Sequence, residues 1–269
     1  MFPQKTGCMK NAFNYKVRFT GEKDIQTPEG EYFYLKLKGK EHKVWLHDYA
    51  RIYTIAGLYE GVVSNKLDCQ SPQVVTSLML KEIRLSGLDL SFARVIDFGA
   101  GCGLVGEILH REGVQSIVGI DTIPEAATAA QRDRPGVYKN YHIADICNLH
   151  PSLATDLKHS QFNTLICVSA MALGHVSPDA FAHAFNLITD GGWIAFNILQ
   201  KAYKNPDDWG LYNFFSQIVK DGNLKVRIEH IYRHRLLMNG NPIENVAVVG
   251  QKWKDIPDKI LSTCQYGKH

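Results

Sequence analysis

The chain has little that would tie a protein to a membrane, a metal or a polyanion. Its 269 residues carry 30 Lys and Arg against 27 Asp and Glu, and the net charge of +3 is too small an excess to argue for nucleic acid. The 6 cysteines, at positions 8, 69, 102, 147, 167 and 264, are scattered. They form no C-x-x-C pair and have no histidine at zinc-ligand spacing, so free thiols in a reducing cytoplasm and no metal are expected. No apolar run is long enough to span a bilayer. No apolar segment follows Met1-Phe2-Pro3-Gln4-Lys5, as a signal peptide would require. No internal repeat or low-complexity stretch occurs.

What is present is a globular composition, 45% apolar and 21% charged, suited to one large domain or a domain with an appendage. Residues 14–20, 31–37 and 42–46 alternate as strands do, so 1–45 reads as a small β-rich extension. Its expected role is a homodimer contact, a pocket wall or both. Residues 47–61 carry helical spacing in Tyr49, Ile52, Tyr53, Ala56 and Tyr59. A further helix is expected from Ser71-Pro72, a hydroxyl cap with proline at the first helical position. Strands and helices then alternate, which signals a parallel sheet: strands at 93–98, 116–121, 141–144, 162–169 and 193–199. Helices are expected to open at Pro124, at Ser177-Pro178 and at Asn205-Pro206-Asp207-Asp208. An Asn239-Gly240 turn joins a terminal hairpin, 225–236 with 246–253. Within it Tyr232-Arg233-His234-Arg235 reads as an exposed basic face.

One run is the most informative: Val95-Ile96-Asp97-Phe98-Gly99-Ala100-Gly101-Cys102-Gly103. An apolar strand ends in alternate glycines, and a helix follows at once. Glycines there let the chain turn tightly and let a ligand approach the backbone, beside the free N–H groups of a helix N-terminus. A second apolar strand, Ser116-Ile117-Val118-Gly119-Ile120-Asp121, ends in a carboxylate 18 residues past Gly103. An acid about 20 residues on is where an α/β sheet holds ribose hydroxyls. Gly101-x-Gly103-x-x-Gly106 formally matches a dinucleotide fingerprint. Asp97 argues against it, because a carboxylate ahead of the glycines suits a cation and repels a pyrophosphate.

The pattern D-x-G-x-G-x-G resembles the first motif of the class I S-adenosylmethionine (SAM)-dependent methyltransferases. The resemblance covers residues 71–253 and implies a three-layer α/β fold. That fold has a seven-stranded, mostly parallel sheet closed by an antiparallel C-terminal hairpin. It implies SAM as cofactor, with Asp97, Gly99, Ala100, Gly101 and Gly103 in the loop under its amino-acid tail. Asp121 would chelate the ribose hydroxyls with Thr122 beside it, Ile123 would lie on the adenine face, and Asp145-Ile146 would receive the adenine amino group. Asp190-Gly191-Gly192-Trp193 matches the turn before strand five. Residues 46–90 become an expected lid or acceptor region and 91–269 the SAM-binding domain. Small-molecule members look closest, so the expected reaction is methyl transfer to an O, N or C atom of a metabolite. No N/D-P-P-Y/F segment follows strand four and no Pro-Cys pair occurs, so no nucleic-acid acceptor is expected.

Residues at the sheet's C-terminal edge are the remaining candidates. His175 could be a general base or a loop histidine beside a helix start. Ser169 and Met171 share that edge. Tyr49, Tyr53 and Tyr59 could line the acceptor pocket or belong to a core, and Arg51 could meet the cofactor carboxylate or stay solvated. The competing readings are an NAD(P)-dependent oxidoreductase and a catalytically inactive SAM-binding module.

Overall fold

The computed structural model describes residues 15–19, 27, 30–171, 175–206 and 210–263. Cys8, Cys264 and residues Asp207 and Asp208 of the helix start expected from the sequence fall outside them.

The chain first builds a small antiparallel sheet in the order β1-β2-β3, from β1 (Tyr15–Phe19), β2 (Tyr32–Leu37) and β3 (Lys40–Trp45). Lys38 and Gly39 both take positive φ, +49° and +81°, the two-residue turn that matches strand twist. One face of this sheet buries Phe33, Leu35 and Val44 against Ile52, Leu58 and Val62. The expected helix over 47–61 is instead a short α1 (Tyr49–Tyr53) followed by a π-helix over Glu60–Lys66. Gly57 breaks it, since its φ of +67° lies outside any right-handed helix.

The second sheet has seven strands in the order β6-β5-β4-β7-β8-β10-β9. These are β4 (Arg94–Phe98), β5 (Ser116–Asp121), β6 (Asn140–Ile143), β7 (Phe162–Cys167), β8 (Ile188–Leu199), β9 (Leu224–Leu236) and β10 (Pro242–Lys252). The first five are parallel, and β10 runs antiparallel to both β8 and β9. Helices α2 (Ser71–Leu85), α3 (Leu104–Arg111), α4 (Pro124–Asp133), α5 (Pro151–His159), α6 (Pro178–Asn186), α7 (Gln200–Lys204), α8 (Leu211–Lys220) and α9 (Asp258–Thr263), with 3-10 turns over Leu90–Phe92 and Ile146–Asn148, complete the described elements. One core joins Phe181, Phe185, Phe196, Phe214 and Phe215. A second packs Val75 and Met79 of α2 and Leu109 of α3 against Val95 and Ala195. Burying each such side chain is worth roughly 1.5–3 kcal/mol, so these two clusters hold the sheet that carries the site.

Four details depart from the sequence reading. Ser71 does not cap α2; the cap position is Gln70, and Ser71 is fully buried. Its Oγ lies 2.6 Å from both the Tyr232 hydroxyl and His234 Nδ1 and accepts from Asn197 Nδ2 at 3.3 Å. The basic segment of the terminal hairpin is not an exposed face either. Tyr232 and Arg235 are buried, and β9 is covered because Gln70 N donates to His234 O and Leu236 N to Leu67 O. Asp190-Gly191-Gly192 lies inside β8 rather than before it: Phe162 pairs with Ile188 but Thr164 with Trp193, so the glycines form an irregularity in the strand. Finally, α8 begins at Leu211 behind Gly210, whose φ is +70°. The helix α5 is not among the expected elements, although Pro151 stands in its first turn behind His150, whose side chain accepts from Ser152 N.

The order of strands fixes where a ligand fits. From β4 the chain moves outward through β5 to β6, then returns to build β7 and β8 on the other side. The crevice beyond the C-terminal ends of β4 and β7 is the switch point at which such sheets bind ligands.

Candidate functional site

A cavity of about 510 Å³ occupies that crevice. This is within the range of roughly 300–1,000 Å³ typical of small-molecule and cofactor pockets. Its walls come from the loops after four parallel strands: Gly99 to Cys102 after β4, Asp121 to Ile123 after β5, Ala144 to Cys147 after β6, and Val168 to Ala170 with His175 to Ser177 after β7. Tyr49, Tyr53 and Tyr59 form the opposite side.

The floor is a backbone cradle. Gly99, Gly101 and Gly103 have φ of +71°, +54° and +91°, values other residues rarely adopt. A Cβ on Gly99 would stand 2.6 Å from Ala170 Cβ, and one on Gly101 2.7 Å from the Tyr53 hydroxyl. Asp121 ties the loop to the next strand: its Oδ2 accepts from Gly101 N at 2.8 Å and its Oδ1 from Ile123 N at 3.0 Å. Each carboxylate oxygen retains further acceptor capacity. Burial pushes the Asp121 carboxyl above the usual carboxylate range, partly offset by the backbone donors of Ile123 and Gly101. Asp145 sits at the far edge, where Asn148 Nδ2 and Cys147 N donate to it at 2.7 and 3.0 Å and hold its carboxyl below its ordinary value.

Asp97 lies under the loop and not on the cavity wall. Tyr138 donates to its Oδ2 at 2.7 Å. Burial raises its carboxyl to about 7, against the lowering effect of that bond. Gly106 explains how Tyr138 reaches it, because a Cβ there would stand 2.5 Å from the tyrosine ring. The third glycine of the formal dinucleotide match thus admits a side chain. Tyr141 braces the same loop from its hydroxyl to Gly101 O, at 2.7 Å. Sequence reasoning missed both tyrosines; the one local signal was a glycine inside α3, where helix propensity disfavours it.

The expected site residues divide accordingly. Gly99, Ala100, Gly101, Asp121, Thr122, Ile123, Asp145, Ile146, Ser169, His175, Tyr49, Tyr53 and Tyr59 all reach the cavity wall. Asp97, Gly103 and Met171 do not. Gly103 is the cap residue of α3, and Met171 is fully buried in the core with Phe181. Arg51 is exposed and donates to Lys43 O at 3.3 Å, away from the wall.

Ser169 is strained and polar. Its φ is +59°, its N–H donates to Asn197 Oδ1 at 2.7 Å, and its buried Oγ has no partner among the described residues. Through Asn197 it joins the buried cluster of Ser71, Tyr232 and His234. His175 packs beside His47 in a tilted contact at 5.4 Å and against Tyr49 edge-on at 5.6 Å between ring centres. Burial, then His47, pulls its imidazole below the ordinary histidine range, so it is neutral near pH 7. A second cavity of about 50 Å³ shares Tyr49, Tyr59, Ser169 and His175 with the first and reaches Cys69, His234 and Arg235. Arg235 is committed there to buried Glu31, at 2.5 Å.

The tyrosine roof is held by α4. Arg132 Nη1 donates to Tyr53 O at 3.1 Å. Arg134 bridges Glu60 at 2.7 Å and Glu107 at 2.8 Å, and donates to Cys102 O at 3.0 Å.

No protein-family profile matches the chain. A ribosomal protein L11 methyltransferase from Staphylococcus epidermidis is 27% identical over 137 residues, which cover 51% of this chain and 39% of that protein. The match therefore spans less than half of that relative's length. The structure of an S-adenosylmethionine-dependent methyltransferase from Clostridium acetobutylicum superposes with a TM-score of 0.51 at 12% identity, covering 73% of this chain and 96% of the other. A candidate RNA methyltransferase from Pyrococcus horikoshii gives a TM-score of 0.50 at 15% identity, with 69% and 87% covered. Among the described residues no helix is long and apolar enough to cross a membrane. The strand order, the antiparallel final hairpin and these superpositions give the chain the fold of the class I SAM-dependent methyltransferases.

Proposed function

We propose that this protein binds SAM in the large cavity and transfers its methyl group to an O, N or C atom of a small molecule. One observation carries the reading: a cavity of about 510 Å³ whose floor is the Gly99–Gly101 backbone and whose rim is Asp121. The residues present fit the cofactor, since the cradle would be closed by a Cβ at Gly99 or Gly101. When bound, SAM supplies a methyl group already activated on a sulfonium.

Asp121 accepts from the ribose hydroxyls with the capacity its two backbone bonds leave free. The Gly99–Gly101 backbone allows close approach of the amino-acid tail. Asp145 and Ile146 hold the adenine edge. Asp97 supports the loop from beneath, and a nearby ammonium favours its ionised form. The faces of Tyr49, Tyr53 and Tyr59 favour a cation beside them. Alignment of donor and acceptor by these walls can supply roughly 7–11 kcal/mol of the barrier. For a hydroxyl acceptor, neutral His175 takes the proton, an effect of about 10²–10⁴-fold. The tyrosine roof, which closes over the floor, supports a small acceptor. The edge strands of the small sheet offer a route to a homodimer.

Radiolabelled SAM incubated with the protein and a cell extract, then ultrafiltered, tests the acceptor class. A labelled compound in the filtrate that chromatography separates from SAM, and that does not form without the protein, is the expected result. Label retained on protein or RNA would contradict the small-molecule reading.

A further inference from the structure

We propose that Cys147, Asp179 and His183, with Asp145 beside them, form a divalent-metal site suited to Zn²⁺ where the loop after β6 meets α6. The thiol Sγ, one Asp179 oxygen and one His183 nitrogen all lie within 4.8 Å of one another. Two of the three donors are set by helix geometry. Asp179 and His183 are one turn apart on α6, on the same face, with Nε2 and Oδ1 3.8 Å apart. The third comes from a different segment, the 3-10 helix over Ile146–Asn148 that packs against α6.

The chemistry of the cluster points to a cation. The Cys147 thiol lies against the carboxylates of both Asp179 and Asp145. A dication placed among these groups would take the sulfur as a thiolate ligand beside the carboxylate and the imidazole. An exposed Asp179–His183 ion pair would account for two of these residues but needs no cysteine between them. One thiolate, one imidazole and one or two carboxylates are the borderline-soft set that suits Zn²⁺, whereas Mg²⁺ and Ca²⁺ take all-oxygen shells. Zinc ligands at about 2.0–2.3 Å require donors closer together than these. The half-exposed His183 and Asp179 side chains can close the gap by rotating, with relative exposures of 48% and 42% that also leave an entry path.

None of the arguments for this site uses SAM, although Asp145 is shared with the proposed adenine edge. Its consequence is local: a bound ion would fasten Asp145 and Cys147, both on the wall of the large cavity, to α6.

The test is a Co²⁺ titration of the full chain after treatment with a chelator, read by absorption, followed by displacement with Zn²⁺. One equivalent is expected, with a thiolate-to-cobalt charge-transfer band that Cys147→Ser abolishes. His183→Ala is expected to weaken binding by about tenfold or more. Absence of a thiolate band, or a band that persists in Cys147→Ser, would overturn the proposal. If Cys147→Ser does not fold, His183→Ala at its exposed position decides, and an unchanged affinity would be equally fatal.

Discussion

The floor of the cavity is backbone fixed by a sheet, whereas its roof is a set of side chains fixed by a few polar contacts. In the floor, parallel strands β4, β5 and β7 end side by side, half-buried Asp121 ties the loop after β4 to the end of β5, and buried Asp97 is held from beneath by Tyr138. In the roof, Tyr49, Tyr53 and Tyr59 stand on a short helix and a π-helix and stay in place through Arg132, Arg134 and one another. Under the proposed function the difference separates two tasks. A rigid floor suits recognition of an invariant nucleoside, and a roof held by local contacts suits admission and selection of an acceptor.

Two titratable groups, Asp97 beneath the floor and His234 in the terminal hairpin, respond to pH in opposite directions. His234, against the small cavity, has its imidazole lowered to about 3 by burial and then by Arg235. Between pH 6.5 and 3 the unfolded chain binds a proton that the folded one refuses, so stability falls as pH falls. A His234→Gln variant that folds should lack up to about 5 kcal/mol of this acid sensitivity. Asp97 does the reverse. Its folded carboxyl titrates near 7 rather than at 3.8, so the folded chain keeps a proton that the unfolded chain releases. Stability therefore falls as pH rises from about 4 to 7, and Asp97→Asn should remove about 4 kcal/mol of that slope. Denaturant melts across pH check both; equal slopes in variant and parent would erase the contrast.

Asp121→Ala should weaken binding of the demethylated cofactor by about 1.5–3 kcal/mol for each charge-assisted hydrogen bond lost, measured by calorimetry. The roof should respond more weakly. Arg134→Ala removes a mostly buried guanidinium whose partners Glu60 and Glu107 are partly exposed. A loss of about 1 kcal/mol is expected after solvent screening. Hydrogen exchange should speed up over Glu60–Lys66 and stay unchanged in β4 and β7; uniform loosening would show that floor and roof are one unit. Smallest is Arg18→Ala, far from both, where the exposed pair with Glu41 contributes less than about 0.5 kcal/mol.

The floor was the legible part. Its strands are short apolar runs closed by glycine or aspartate, and β5 falls at the residues its pattern marked. Local chemistry suffices there because each strand signals its own end. The roof and the hairpin depend on contacts across the chain. Ser71 has the composition of a helix cap, yet β9 arrives over it and makes it the centre of a buried hydrogen-bond cluster. Tyr232-Arg233-His234-Arg235 reads as a solvated burst, yet Glu31, 204 residues away, buries Arg235 with it. Met171 shares the sheet edge with Ser169 by sequence position, but its side chain turns into the core. The Cys147–Asp179–His183 cluster was invisible for the same reason: its cysteine and its helix are separated by β7 and never share a spacing motif.

The most direct test of the central claim is calorimetry of the wild-type chain against SAM, its demethylated product and NAD. One molecule of SAM or of the product should bind per chain, with no heat from NAD. Binding of NAD without affinity for either sulfur nucleoside would contradict the account.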